Sequence, residues 1–193
     1  CYRPPSWWKT VLKAVPVLAL IVAGGAQFAA PAILIALALS WIGDVALSRS
    51  GEQAFLIGLI AFAGAHIAYI FLFLSLGTGA LVSIGAAVVV LLALSTERWL
   101  TPYCDNLRWP VRGYVAIIAA MAICALTIEG RNIAVWGAFL FLASDLLLAV
   151  HLFRLQPTSR LNVPVSIALW ALYIAAQIAI LLGAGFSKPI LGV

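Results

Sequence analysis

An all-α bundle of transmembrane helices is the fold class this sequence predicts, and three observations predict it. Of 193 residues, 65% are hydrophobic and only 9% charged, and the mean hydropathy of +1.16 lies far above that of soluble domains. The apolar residues fall in long unbroken runs, and about 20 such residues cross a hydrocarbon core of about 30 Å. The runs lack the period-2 alternation of barrel strands, so the backbone groups that lipid leaves unsolvated must pair within helices.

Charged and Pro/Gly boundaries divide the runs into seven expected helices. The first, 11–27, carries Lys13 and Pro16 at its entrance. The second, 31–48, opens on Pro31 and stops before Arg49. The third, 54–76, follows Gly51 and Glu52 and runs up to Gly77. The fourth, 80–96, ends at Glu97. A charged, proline-bearing connection follows, "ERWLTPYCDNLRWPV" over 97–111. The fifth, 112–128, and the sixth, 133–153, are separated by the short polar stretch around Glu129 and Arg131. The seventh, 164–183, begins at Pro164. With no linker and no shift of composition, 1–193 is expected to be a single domain.

Threading the seven spans sorts the basic residues by side. All eleven Lys and Arg except Arg131 and Lys188 fall on the side of the visible N-terminus, including Arg3, Lys9, Arg49, Arg112 and Arg154. That asymmetry predicts a cytoplasmic N-terminal side and explains the net charge of +5 as topology, not nucleic-acid binding. Tryptophans 7, 8, 99 and 109 lie near the same interface, as an aromatic belt would. The alanine and arginine content points to a bacterial source and hence an inner membrane. The chain starts at Cys1, so an upstream segment is expected. Cys1, Cys104 and Cys124 have neither CxxC spacing nor an even count, and suggest neither a disulfide framework nor a zinc site.

Of six acidic residues, Glu52, Glu97, Asp105 and Glu129 fall in loops or at helix ends, but Asp44 and Asp145 lie inside apolar spans. An acid at mid-membrane costs on the order of 2.5–3.5 kcal/mol on insertion scales, and such residues face the bundle interior and serve function by default. At about 1.5 Å rise per residue, Asp44 lies roughly 7 Å and Asp145 roughly 13 Å inside the cytoplasmic edge. Ser40, Gly43 and Asp44 share one helix face, and Gly137, Phe141, Ser144 and Asp145 share another. Further polar groups arrive on other helices: His66 and Tyr69 one turn apart on the third, Tyr173 and Gln177 on the seventh, and Lys13 on the first. Lys13 also suits a snorkelling topology anchor. Two separated aspartates and one histidine do not make a metal-ligand cluster, and no cofactor is expected. Small-residue faces pack within or between chains alike, so the oligomeric state is left open.

Taken in order, "KAVP", "SWIGDVAL", "GLIAFAGAHIAY", "YVAIIAAM", "GAFLFLASDLLLAVHLF" and "YIAAQIAI" resemble the lysoplasmalogenase, or YhhN-like, family of membrane proteins over nearly the whole chain. The family usually has eight helices, so the resemblance implies one more upstream of the lysine-proline segment. It implies a hydrolase that splits the vinyl-ether bond of a lysophospholipid, lysoplasmalogen, into a fatty aldehyde and a glycerophospho-base, in a setting of membrane lipids. The chemistry resembles glycoside cleavage, in which one carboxyl donates a proton and another stabilises the cation or activates water. Asp44 and Asp145 are the expected catalytic pair, titrating as a unit with one proton between them. His66, Tyr69, Tyr173 and Gln177 would orient water or the glycerol hydroxyl, Ser40 and Ser144 the carboxyls, and Lys13 or loop arginines the phosphate. Tyr114, which opens "YVAIIAAM", joins the substrate-binding set.

Two other functions use intramembrane acids. An aspartyl protease of the GxGD type is disfavoured because Trp41 stands where its first glycine should be. A small proton-coupled transporter with Asp44, His66 and Asp145 as a relay is the alternative from a different class. A scaffold with satisfied polar contacts would need no chemistry at all.

Overall fold

The computed structural model describes residues 7–77, 83–156 and 158–187. Cys1, Arg3, Lys188 and residues 80–82 of the fourth expected helix lie outside these, as do the side chains of Trp7, Trp8 and Lys9. Among the described residues the chain forms seven α-helices and no strand. They are α1 Trp7–Ala26, α2 Pro31–Leu47, α3 Glu52–Leu76, α4 Ser83–Trp99, α5 Arg108–Ala125, α6 Asn132–Phe153 and α7 Asn162–Ala184.

The helix ends follow local chemistry. Pro31 occupies the first turn of α2, where a missing N–H costs no helical bond. Gly51 precedes α3 at φ 110°, a conformation that suits glycine, and Glu52 places an acid against the positive end of that helix. The 97–111 connection is more ordered than a loop. It holds two 3₁₀ turns, Thr101–Tyr103 and Asp105–Leu107, and α5 starts at Arg108 rather than 112. These turns bury Leu100 and Cys104 against Val111, and burial holds the Cys104 thiol above its ordinary range. At the opposite end, Arg131 donates to the carbonyls of Gly183, Phe186 and Ser187, which stand beyond the last helical donors of α7.

Helices α3, α6 and α7, and the stretch Asp105–Ala125 containing α5, are long and apolar enough to cross a membrane; Lys13–Ala26 and Pro31–Leu47 are shorter apolar helices. The surface agrees with lipid rather than water as solvent. Val22, Ile60, Phe71 and Ile167 are each more than 60% exposed, while Ser40, His66 and Gln177 are fully buried. Apolar outside and polar inside is the arrangement of an integral membrane protein. Trp109 is exposed near the start of α5 with the Arg112 guanidinium 4.8 Å from its ring centroid, a pairing suited to the headgroup region.

The strongest packing joins α6 to α7 and α2 to α3, with α3 also against α5 and α1 against α2. Small residues set two close crossings. A Cβ added at Gly183 would stand 2.4 Å from the Ala134 backbone nitrogen, and one at Gly43 would stand 2.6 Å from the Phe62 ring. Without glycine there, α7 could not lie so close to α6. The shared core of Ile33, Leu37, Tyr69, Phe73, Phe141 and Ile180 runs between these pairs. The acidic positions of α2 and α6 therefore face the interior.

Candidate functional site

Two carboxyl clusters stand in the bundle, one around each membrane aspartate. On α2, Asp44 is 7% exposed, and its Oδ2 accepts a hydrogen bond of 2.8 Å from the Tyr173 hydroxyl of α7. On α6, the Oδ2 of Asp145 accepts a bond of 2.5 Å from the Tyr114 hydroxyl of α5. His66 of α3 completes this second cluster, with Nε2 at 3.1 Å from the same carboxyl oxygen and 3.0 Å from the Tyr114 hydroxyl. A proton on Nε2 lets the imidazole donate to both. Three helices thereby converge on one oxygen, and the side chains contributing are those that share helix faces with the apolar core.

Phe141 stands between the clusters. Its ring meets His66 at a centroid distance of 4.6 Å and Tyr173 at 5.5 Å, both edge-on. Asp44 and Asp145 share no hydrogen bond among the described residues, and each carboxyl is bonded instead by a phenol from another helix. The polar set is otherwise brought together much as the helix faces suggest. Tyr69 donates to Oε1 of Gln177, and both side chains are fully buried. The Gln177 Nε2, His66 Nδ1 and Ser40 Oγ are buried without a hydrogen-bond partner. Groups of this kind carry the cost of desolvation, and their hydrogen-bonding capacity is available to a ligand.

The two serines do not orient the carboxyls as expected. The Ser144 hydroxyl donates instead to the Leu169 carbonyl of α7 at 3.0 Å, which ties α6 to α7, and Ser40 is unpaired beside Asp44. For Ser144 the cause is helix geometry, since one residue along the helix turns it about 100° away from Asp145, whereas Ser40 stands one turn before Asp44 on the same face and its hydroxyl is still unbonded. Lys13 is half-buried and within electrostatic reach of Asp44 and of His151 on α6. His151 is absent from the expected site. Its signal was its position seven residues after Ser144, on the inward face of the same helix.

The second cluster opens sideways. A partly open cavity lies between α3, α4, α5 and α6, with Asp145 and Tyr114 in its wall. Thr96 is the other polar residue of the lining, and its hydroxyl is already donated to the Ala93 carbonyl. An acid with a bound phenol and imidazole thus borders a space otherwise walled by hydrocarbon. Such an arrangement can deliver a proton to an apolar substrate with water largely excluded.

The loop arginines divide between structural tasks. Arg112 is engaged by Glu97 through both carboxylate oxygens, at 2.9 and 2.7 Å. Arg154 donates to the Trp99 carbonyl and lies 3.9 Å over the Tyr103 ring. Neither is bonded to an aspartate of the site, and Lys13 is a cation within electrostatic reach of Asp44.

A lysoplasmalogenase of Mycobacterium bovis is 34% identical over 165 residues, covering 80% of this chain and 60% of that protein. Lysoplasmalogenase TMEM86B of Sus scrofa is 33% identical over 198 residues, covering 96% of this chain and 79% of that protein. The human TMEM86B is 34% identical over 189 residues, with 93% and 76% covered. The chain thus spans about 60% of the length of the mycobacterial relative. No solved structure matches it. The model of the YhhN family matches residues 8–184, a stretch that contains both aspartates and every polar partner described above, and the chain belongs to that family.

Proposed function

We propose that this protein is a membrane-embedded hydrolase that cleaves the vinyl-ether bond of lysoplasmalogens, releasing a fatty aldehyde and a glycerophospho-base. The observation that carries this reading is the pair of membrane aspartates, Asp44 buried and Asp145 partly so, each hydrogen-bonded to a tyrosine from another helix, and Asp145 bordering an apolar cavity. Relatives named lysoplasmalogenase support the substrate class.

The reaction adds a proton to the alkenyl carbon remote from oxygen, which leaves an oxocarbenium ion. Water adds to the carbon bonded to oxygen and gives up a proton, and the resulting hemiacetal collapses to aldehyde and the free glycerol hydroxyl. One water is consumed, and the proton donated at the start is recovered at the end. Asp145, in the wall of the apolar cavity, is the acid that protonates the chain. His66 and Tyr114 hold its carboxyl in one orientation and exchange the proton with it. Asp44, with Tyr173, stabilises the cation or activates water. Tyr69 and Gln177 position the water or the glycerol hydroxyl, and Lys13, with His151 beside it, takes the phosphate. The chain works as one domain in a bacterial inner membrane, with its N-terminal side cytoplasmic and the site in the cytoplasmic half.

The test is incubation of purified protein with an alkenyl lysophospholipid and, in parallel, its acyl and saturated alkyl counterparts, with products read by mass spectrometry. Aldehyde is expected from the alkenyl lipid alone, and none from Asp44→Asn or Asp145→Asn proteins that elute as the wild type does. Retained activity in either variant would overturn the two-carboxyl mechanism. No product from any lipid would favour the proton-coupled transporter.

A further inference from the structure

The cavity beside Asp145 has a floor as well as walls. At the cytoplasmic end Phe55 of α3 and Phe153 of α6 meet edge-on, with ring centroids 5.9 Å apart at 86°. Both line the cavity. Behind them lie Leu100 and Val111, 2% and 5% exposed, held in place by the 3₁₀ turns that follow α4. Asp145 and Phe153 are eight residues apart on one helix, a distance of about 12 Å at 1.5 Å per residue. Ala149 stands halfway, one turn from each, and also lines the cavity.

A charged headgroup in this space would lose its hydration with only one carboxyl and one phenol in return, and that acid is already hydrogen-bonded. A hydrocarbon chain loses nothing there and gains burial. We propose that the cavity is the binding site for the lipid's hydrocarbon chain, with the first carbons at Asp145, Ala149 leaving room for the middle and the Phe55–Phe153 pair stopping the far end. Chain length is then measured by the distance from the acid to the aromatic stop. This inference rests on the proposed vinyl-ether hydrolysis for its substrate, but the site is defined by its walls.

Two substitutions act in opposite directions. Ala149→Phe fills the middle of the cavity, and Phe153→Ala removes the stop. With alkenyl lysophospholipids of graded chain length, Ala149→Phe should lose kcat/KM on long chains by about fourfold per excluded methylene while keeping short-chain turnover. Phe153→Ala should move the optimum to longer chains. The retained short-chain activity of the first variant and the gained long-chain activity of the second are outcomes that misfolding cannot produce. Binding of saturated alkyl lysophospholipids of the same lengths, measured by displacement of a fluorescent lipid, is followed alongside. Aldehyde release with uniform or absent changes across the series would overturn the chain site and leave the hydrolase reading standing. Length-dependent binding shifts without aldehyde from any alkenyl lipid would overturn hydrolysis and support the chain site. Neither aldehyde nor a binding shift would overturn both.

Discussion

The Tyr114 hydroxyl of α5 donates to Asp145 Oδ2 of α6 at 2.5 Å, and across the Phe141 ring the Tyr173 hydroxyl of α7 donates to Asp44 Oδ2 of α2 at 2.8 Å. Each aspartate is therefore presented by a phenol from a neighbouring helix. The surroundings differ. Asp145 also has an imidazole and an apolar cavity, whereas Asp44 has a lysine within electrostatic reach. Two carboxyls in unlike settings suit a reaction that needs one to give a proton and the other to meet positive charge.

Tyr114→Phe and Tyr173→Phe test that division. Each removes one hydroxyl bonded to a carboxyl and leaves the ring, so the contacts of the Tyr114 ring with His66 and of the Tyr173 ring with Phe141 are preserved. A hydrogen bond to a charged group contributes about 1.5–3 kcal/mol, and each variant should lose about 10- to 100-fold in kcat for aldehyde release. Tyr114→Phe should be the milder, because His66 still holds the same oxygen. Wild-type kcat in both variants would show the phenols to be packing elements only.

Lys13 offers a different kinetic signature. As the cation proposed to meet the phosphate, it contributes to binding of the ground state and transition state alike, so Lys13→Met should raise KM about tenfold with little change in kcat. An alkenyl glycerol without phosphate should be cleaved equally by both proteins. Equal losses on the two substrates would assign Lys13 to the membrane interface alone.

The α6–α7 crossing predicts a stability effect independent of function. At Gly183 the obstacle to a Cβ is the Ala134 backbone, which cannot rotate aside, whereas a Cβ at Gly25 meets nothing within 4 Å. Gly183→Ala should lower stability by about 1–3 kcal/mol as the helices separate. Gly25→Ala should be neutral or slightly stabilising, since alanine is the better helix former by up to about 1 kcal/mol. Thermal unfolding in detergent would compare them, and equal midpoints would show that the helices are free to part.

Helix periodicity carried most of this arrangement. Asp44, His66, Asp145, Tyr173 and Gln177 were legible because an ionisable or amide side chain inside an apolar run has only the bundle interior to turn to. The helix bounds were legible to within a few residues because charges, prolines and glycines mark the membrane edges. What periodicity could not supply was which residues from different helices meet. The partners of the two acids depend on crossing angles set by contacts such as Gly183 on Ala134, and those contacts lie far apart in sequence. Hence Tyr114 is legible without its partner, and His151 is not legible as part of the site. The 3₁₀ turns of 97–111 were hidden for another reason: the charges and prolines of this stretch read as a connection, although Leu100, Cys104, Leu107 and Val111 keep a helical spacing of four, three and four residues.

The ion pair between Glu97 and Arg112 makes a last prediction, about acid stability. Hydrogen bonds from the Arg112 guanidinium are the main cause that holds the Glu97 carboxyl below its ordinary value of 4.5. A group whose folded value is depressed adds stability that is present above the unfolded value and is lost as pH falls through the folded one. The pair joins the end of α4 to the start of α5, but both side chains are exposed and the effect is small. The thermal midpoint of the wild type should therefore drop more steeply below pH 4.5 than that of Glu97→Gln. The difference between the two curves should shrink at about 1 M salt, where the Debye length falls to about 3 Å. Parallel curves at low salt would show that the link between α4 and α5 is made by the buried contacts of Leu100, Cys104 and Val111 alone.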